Sequence, residues 1–126
     1  MAACAEGSGL KLHLPWPPQE LSPNARVHWA EKSKAAKAYR LQCKLMTKAA
    51  KLIIPEIEGR LHLWLTFYPP DKRRRDDDNI IASFKSGRDG IADALGIDDC
   101  RFITHPWVHT ETGGYIKVSI TGGPDD

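Results

Sequence analysis

The run Asp71–Asn79 packs four basic side chains against four acidic ones within nine positions. An alternating apolar segment ends just before this run, and a helical apolar pattern begins at its end. The run is therefore predicted to join a strand to a helix. Basic residues favour a polyanionic partner, whereas the carboxylates beside them repel that partner unless a cation lies between. The two requirements together restrict both the local fold and its chemistry.

Asp76 and Asp78 are the most informative carboxylates of this run. In extended backbone they would point the same way, because side chains alternate along a strand. Two such carboxylates suit Mg²⁺, which binds one or two of them and keeps its other positions for water and substrate phosphate. Asp98 and Asp99 follow the second predicted helix, which can return the chain to the same end of the sheet and supply a third carboxylate. The alternative is a solvated acidic loop that caps a helix.

The hydropathy pattern predicts an α/β fold: a single small domain with a mixed sheet of about four strands packed with two helices. A flexible arm (1–9) and a flexible tail (122–126) flank a domain over 10–121. Two glycines inside the second helix, Gly87 and Gly90, predict close packing or a local break. Strands are predicted over Leu10–Trp16, Leu61–Tyr68, Cys100–Thr110 and Tyr115–Thr121, helices over His28–Lys51 and Asn79–Leu95, and a hairpin turn at Gly113–Gly114.

Composition excludes several protein classes. Hydrophobic residues make up 41% and charged residues 27% of the 126 positions, as in a globular domain. No apolar run approaches the roughly 20 residues that span a bilayer, and the start of the chain lacks the pattern of a signal peptide. The three scattered cysteines suggest neither a disulfide framework nor a zinc site. We therefore expect a cytoplasmic protein with no membrane association.

The first predicted helix is strongly basic. Between Arg26 and Lys51 there are eight basic residues and one acidic residue. An apolar stripe that includes Tyr39, Leu45 and Met46 follows helical spacing and is expected to pack on the sheet. A second stripe is cationic and is predicted to face a polyanion. It consists of Lys37, Arg40, Lys44 and Lys48.

Lys85 lies seven residues after Asp78 and four before Asp89, so a continuous helix would place all three on one face. In one interpretation Lys85 forms a surface pair with Asp89, worth a few tenths of a kilocalorie per mole. In the other, its ammonium points at a phosphate and stabilises charge that develops there. The sequence leaves both open.

The arginines and exposed aromatics also have two interpretations each. The three consecutive arginines are either a solvated loop or guanidinium groups that hold phosphates in bidentate fashion. Three aromatic residues could stack on bases, although burial in the core is expected of at least two of them. The arginines are Arg73, Arg74 and Arg75, and the aromatic residues are Trp29, Tyr68 and Trp107.

Three blocks of the sequence occur in the order of a known family pattern. Leu14–Pro18 is followed by Asn24 and a basic helix, Arg73–Asn79 is a basic run that ends in D-x-D-N, and Asp98-Asp99 precedes Phe102. In these blocks the chain resembles the RusA family of Holliday-junction resolvases, over Leu12 to about Ile116. The family lysine follows D-x-D-N at the position that Ala82 occupies here. We assign its role to Lys85, which has an aspartate four residues on, and infer a small insertion before it.

The resemblance implies an Mg²⁺-dependent, structure-selective endodeoxyribonuclease that resolves four-way DNA by paired symmetric cleavage, with Mn²⁺ as a substitute metal. It implies a homodimer, since two nicks at two-fold-related sites are needed. The alternatives are a less selective branched-DNA or flap nuclease and a non-enzymatic DNA-binding protein. The implied metal ligands are Asp76, Asp78 and Asp99, with Lys85 catalytic. The expected DNA contacts are Arg73, Arg74 and Arg75 together with Lys37, Arg40, Lys44 and Lys48.

Overall fold

The structure is a computed structural model that describes residues 12–51 and 59–122. The predicted arm (1–9), the first residues of the first predicted strand and positions 123–126 of the predicted tail lie outside this range. None of the described helices is both long and apolar enough to cross a membrane. The elements are β1 (Leu12–Pro15), α1 (Trp29–Ala49), β2 (Leu61–Tyr68), α2 (Asp77–Ser83), α3 (Lys85–Leu95), β3 (Phe102–Val108) and β4 (Tyr115–Gly122), with 3₁₀ turns at Gln19–Leu21 and Asp99–Arg101.

The four strands form one mixed sheet in the order β1-β4-β2-β3. β4 runs antiparallel to both of its neighbours, and β2 runs parallel to β3. The predicted fold class is thus confirmed. The predicted hairpin between the last two strands is wrong, because β2 lies between β3 and β4. The connecting segment instead crosses the end of β2, where the backbone N–H groups of Gly113 and Gly114 donate to the carbonyls of Pro69 and Tyr68, each at 2.8 Å.

One face of the sheet packs against the helices. In β2 every second side chain is buried, from Leu61 to Phe67, as strand alternation requires. From α1 the buried side chains are Tyr39, Cys43 and Thr47, which follow one another at four-residue spacing. Thr47 is accommodated because its hydroxyl donates to the Cys43 carbonyl at 2.7 Å.

The apolar stripe predicted for α1 is only partly correct. Tyr39 belongs to the core, but Leu45 is 55% exposed. Thr47, whose hydroxyl bonds within its own helix, occupies a buried position, so hydrophobicity alone does not identify the buried face of α1. Leu41 is similarly exposed, at 53%.

The second predicted helix is divided into α2 and α3 at Phe84, whose backbone (φ −91°, ψ 2°) departs from helical values. The Phe84 ring is buried edge-on against Phe67 and Tyr39. A Cβ at Gly87 would collide with this ring, and one at Gly90 would collide with the Arg40 carbonyl of α1. The glycines therefore allow the close packing that the sequence predicted, and the break is real, but it lies at the phenylalanine.

Candidate functional site

A cavity of about 490 Å³ lies at the end of the sheet where β1 and β2 both finish. The two strands end together because each pairs antiparallel with β4, where Tyr115 stands opposite both Pro15 and Tyr68. The turn after β1 forms one wall and the loop after β2 forms the other. Charged residues of the second wall are Arg73, Arg74, Arg75 and Asp76.

Asp76 is the N-cap of α2, with its Oδ1 accepting a hydrogen bond from the backbone N–H of Asp78 at 2.9 Å. The capping role that the sequence left open is therefore present. Asp78 is already helical, so strand alternation does not relate the two carboxylates as expected; the cap brings Asp76 against the backbone of Asp78 instead. Both residues are exposed, and neither forms an ion pair with another residue of the described ranges.

Asp99 lies elsewhere. It occupies the 3₁₀ turn before β3, and β3 begins beside the start of β2, whereas Asp76 follows the loop at the finish of β2. Arg88 of α3 holds Asp99: Nη1 contacts Oδ2 at 3.3 Å, and Nη2 donates to the backbone carbonyl at 3.0 Å. The expectation that the helical connection returns the chain to the same end of the sheet is wrong, because a connection between parallel strands must carry the chain back to the starting end.

The described residues contain no group of three His, Cys, Asp or Glu side chains close enough to hold a metal ion. Asp98 does not supply a further ligand near Asp76, since it caps the same 3₁₀ turn as Asp99. Its Oδ1 accepts from the backbone N–H of Cys100 at 3.0 Å, and this bond lowers the pKa of the Asp98 carboxyl. Of the three carboxylates predicted to bind Mg²⁺, Asp76 and Asp78 lie together at the start of α2, and Asp99 lies apart from them.

The three consecutive arginines differ in their surroundings. Arg75 is held in place: its Nη1 is 2.9 Å from Asp71 Oδ1, and its guanidinium carbon lies 5.9 Å from the ring centre of Trp16. Hydrogen bonding to Arg75 lowers the pKa of Asp71. Arg73 has a side chain that is 76% exposed, and Arg74 is exposed without an ion pair among the described residues. Arg75 thus orders the loop, and Arg74 remains available to a ligand. Arg73 is mostly exposed, although its Nε lies 4.0 Å from Asp71 Oδ1.

The cationic stripe of α1 is not uniform. Arg40 turns onto α3, where its Nε and Nη2 donate to the two carboxylate oxygens of Asp93 at 2.7 and 2.9 Å. This bond lowers the pKa of Asp93. Lys44 is half-buried, whereas Lys37 and Lys48 are exposed. The predicted DNA-contacting stripe therefore contains one residue that links two helices.

Lys85 is the first residue of α3, and its Nζ lies 3.5 Å from Asp89 Oδ2. The surface pair predicted from the four-residue spacing is thus present, with the Lys85 side chain 74% exposed. The register predicted between Asp78 and Lys85 does not hold, because the helix is interrupted at Phe84 between them.

The aromatic residues depart from expectation. Trp29 is 75% and Trp107 is 52% exposed, so the prediction that at least two of the three aromatics are buried is wrong. Tyr68 stacks between Tyr115 and His109 on the face of the sheet opposite the helices, with ring centres 4.7 and 4.9 Å away. Trp29 is the first residue of α1, and Trp107 lies near the end of β3.

Sequence reasoning also missed residues that only the sheet brings together. His62 and His105 lie 43 residues apart, yet the parallel pairing of β2 and β3 places their ring nitrogens 2.8 Å from each other. Trp16 and Asn79 of the cavity wall were assigned no role of their own. The L-P-W-P-P block was a usable signal for Trp16, since it ends a strand at the edge where the charged loop begins.

The chain is 52% identical to an uncharacterized protein of Xylella fastidiosa (strain Temecula1 / ATCC 700964) over 131 aligned residues, which cover 97% of this chain and 84% of that protein. No family model matches the chain. The identity and the coverage are high enough to establish common descent and a shared fold. The chain therefore belongs to the same family as this protein of Xylella fastidiosa.

Proposed function

We propose that the protein is a cytoplasmic, Mg²⁺-dependent endodeoxyribonuclease that selects branched DNA and resolves four-way junctions by paired symmetric cleavage. One observation carries the proposal: Asp76 and the three arginines line the same cavity. A site that binds only phosphate has no use for a carboxylate that lacks a cationic partner, because the carboxylate repels the ligand. The RusA-like order of the sequence blocks supports the same conclusion.

The donor set beside the cavity fits Mg²⁺. Asp76 caps α2 through one oxygen and retains the other, and Asp78 is exposed next to it. Two carboxylates are enough for Mg²⁺, which takes its remaining ligands from water and substrate phosphates. Bound Mg²⁺, or Mn²⁺ in its place, would neutralise charge on the phosphate oxygens of the DNA. Arg73 and Arg74 would hold neighbouring phosphates, since guanidinium groups match phosphate geometry in bidentate fashion.

The exposed lysines extend this surface. Lys37 and Lys48 contribute non-specific affinity by neutralising phosphates, which releases counterions and makes binding depend on salt. The ammonium of Lys85 is mostly exposed, and a surface pair of its kind is weak, so Lys85 can leave Asp89 for a phosphate. In this proposal Lys85 stabilises charge that develops on the scissile phosphate.

Asp99 takes part through a homodimer in this proposal. Its position at the opposite end of the sheet separates it from Asp76 within one protomer. The partner subunit's Asp99 would complete the site, so that each of the two cleavage centres uses both chains. Two-fold symmetry then yields the two equivalent centres that paired cleavage requires.

Subunit mixing tests this arrangement. Asp76→Asn and Asp99→Asn chains, each inactive alone, are mixed, dissociated and reassociated, and nicking of a junction is measured. If each site is shared between subunits, every heterodimer keeps one intact centre. Under random pairing about a quarter of all centres are then intact, and the nicking activity should return to about a quarter of the wild-type activity. Sites built within one protomer leave no intact centre, and the mixture stays inactive.

A non-enzymatic DNA-binding protein is the second candidate. It is favoured by the capping role of Asp76, which gives this carboxylate a structural task without metal. A four-way junction, a fork and a linear duplex, each incubated with Mg²⁺, Ca²⁺ or EDTA, discriminate the candidates. We expect symmetric nicks in the junction with Mg²⁺ only. Equal cutting of the fork indicates the less selective nuclease, and binding without cutting indicates the DNA-binding protein.

A further inference from the structure

The cavity beside Asp76 has the size of a small-molecule site. Its volume of about 490 Å³ lies within the range of about 300–1000 Å³ that is usual for such sites. It is large enough for a single nucleotide and too small for a double helix. Because Asp76 is part of its wall, an occupant lies directly beside the candidate metal-binding carboxylate.

Part of the cavity lining is apolar. Trp16, Pro17 and Pro70 contribute ring surfaces. Trp16 is fixed in orientation, since its ring meets Phe67 edge-on at 6.3 Å and the guanidinium of Arg75 lies over it. An aromatic ring beside a guanidinium plane is the kind of surface on which nucleobases stack.

The lining also carries three carboxamides, those of Gln19, Asn24 and Asn79. Their side chains form no hydrogen bond with any other part of residues 12–51 and 59–122. A carboxamide offers both a donor and an acceptor, as does the edge of a nucleobase, whereas an ionised phosphate offers only acceptors. The lining therefore matches a base better than a phosphate alone.

We propose that this cavity binds one unpaired nucleobase of the DNA, while Arg73 and Arg74 at its edge hold the flanking phosphates. The inference rests on the proposed function, because it names the part of branched DNA that the same site recognises. Unstacking a base costs a few kilocalories per mole, and least where pairing is already disturbed, as at a branch point. Occupation of the cavity would thus select branched DNA over duplex.

Nucleotide binding to the full chain tests the inference. Titrations followed by NMR use the four deoxynucleoside monophosphates alongside 2-deoxyribose 5-phosphate, which lacks a base. We expect at least one nucleotide to bind about tenfold more tightly than the sugar phosphate, as one or two base contacts provide. Equal affinities would show a phosphate site and overturn the proposal.

A matched pair of variants locates the binding. Asn24 is exposed in the turn after β1, so Asn24→Ala should leave the fold intact. It should weaken nucleotide binding by about tenfold and leave sugar-phosphate binding unchanged. Gln42→Ala removes the same carboxamide from an exposed position of α1 outside the cavity and should change neither. Nucleotide affinity that is insensitive to Asn24→Ala would count against the cavity.

Failure of this inference and failure of the nuclease proposal give different results. A protein that cuts four-way junctions with Mg²⁺ but binds nucleotides no better than sugar phosphate is a nuclease without a base site. A protein that discriminates nucleotides as expected but never cuts a junction has the base site without the activity.

Discussion

The acidic residues at the two ends of the sheet differ in whether they are paired with arginine. Where β1 and β2 finish, Asp76, Asp77 and Asp78 stand together without an ion pair within the described residues. Where β2 and β3 begin, Asp99 is bonded through both its side chain and its backbone to Arg88. The comparison separates an acid that is paired with an arginine from acids that the described residues leave without a cationic partner. Proximity to arginine in the sequence did not reveal this difference, because Arg75 pairs with Asp71 rather than with Asp76.

The largest effect is expected at the end with unpaired acids. Asp76→Asn and Asp78→Asn should each lower single-turnover cleavage of a four-way junction about 100- to 1000-fold, since charge stabilisation of the phosphate is lost. Asparagine still caps a helix, so the melting temperature of Asp76→Asn should stay near that of wild type. Asp77→Asn is the matched control and should cut within about threefold of wild type. A normal cleavage rate for Asp78→Asn would show that Asp78 is not part of the site.

Lys85 sharpens the comparison, because its ammonium contacts an acid yet is mostly exposed. If it stabilises the transition state, Lys85→Ala should lower the single-turnover rate about 100-fold without a similar loss of binding. Asp89→Ala breaks the same pair and keeps the ammonium, so its rate should fall by less than about threefold. Equally mild effects in both variants would show that Lys85 only forms a surface ion pair and has no catalytic role.

The arginines of the two ends should show opposite behaviour. Arg88 is partly buried and bonds Asp99 and Thr104, so Arg88→Gln should lower the free energy of unfolding by about 1–3 kcal/mol. Arg74→Gln should leave stability unchanged and reduce by about one the slope of log binding constant against log salt concentration. Urea denaturation and binding at several salt concentrations provide the measurements. A salt slope unaffected by Arg74→Gln would place Arg74 away from DNA.

The smallest effect concerns pH. The bond from Arg40 lowers the pKa of Asp93 below its unfolded value of about 3.9. The resulting stabilisation is complete above that value and is lost as pH falls through the lower pKa of the folded protein. The melting temperatures of wild type and Arg40→Gln should therefore differ at pH 5 and converge towards pH 2.5. Lys37→Gln, which removes an exposed charge of α1, should show no such convergence.

Much of the fold was predictable from local pattern. The alternation of β2 predicted both its limits and its buried side, because period-two burial follows directly from strand geometry. The charged run was correctly placed between a strand and a helix. The buried face of α1 was less predictable. Thr47 is buried because its hydroxyl forms a hydrogen bond within the helix, whereas hydrophobicity alone predicts an exposed threonine.

What the sequence by itself determined was the set of chemical groups: carboxylates beside arginines, a basic helix and a mixed α/β order of elements. Tertiary structure alone decided which of these groups meet. Because β2 lies between β3 and β4, the last two strands do not form the predicted hairpin. The parallel pairing of β2 with β3 places Asp99 at the end of the sheet opposite Asp76. Strand order depends on contacts between residues distant in the chain, and local periodicity carries no information about those contacts. The same reason applies to Trp16 and Asn79, which are distant in the chain and line one cavity because β1 and β2 end together.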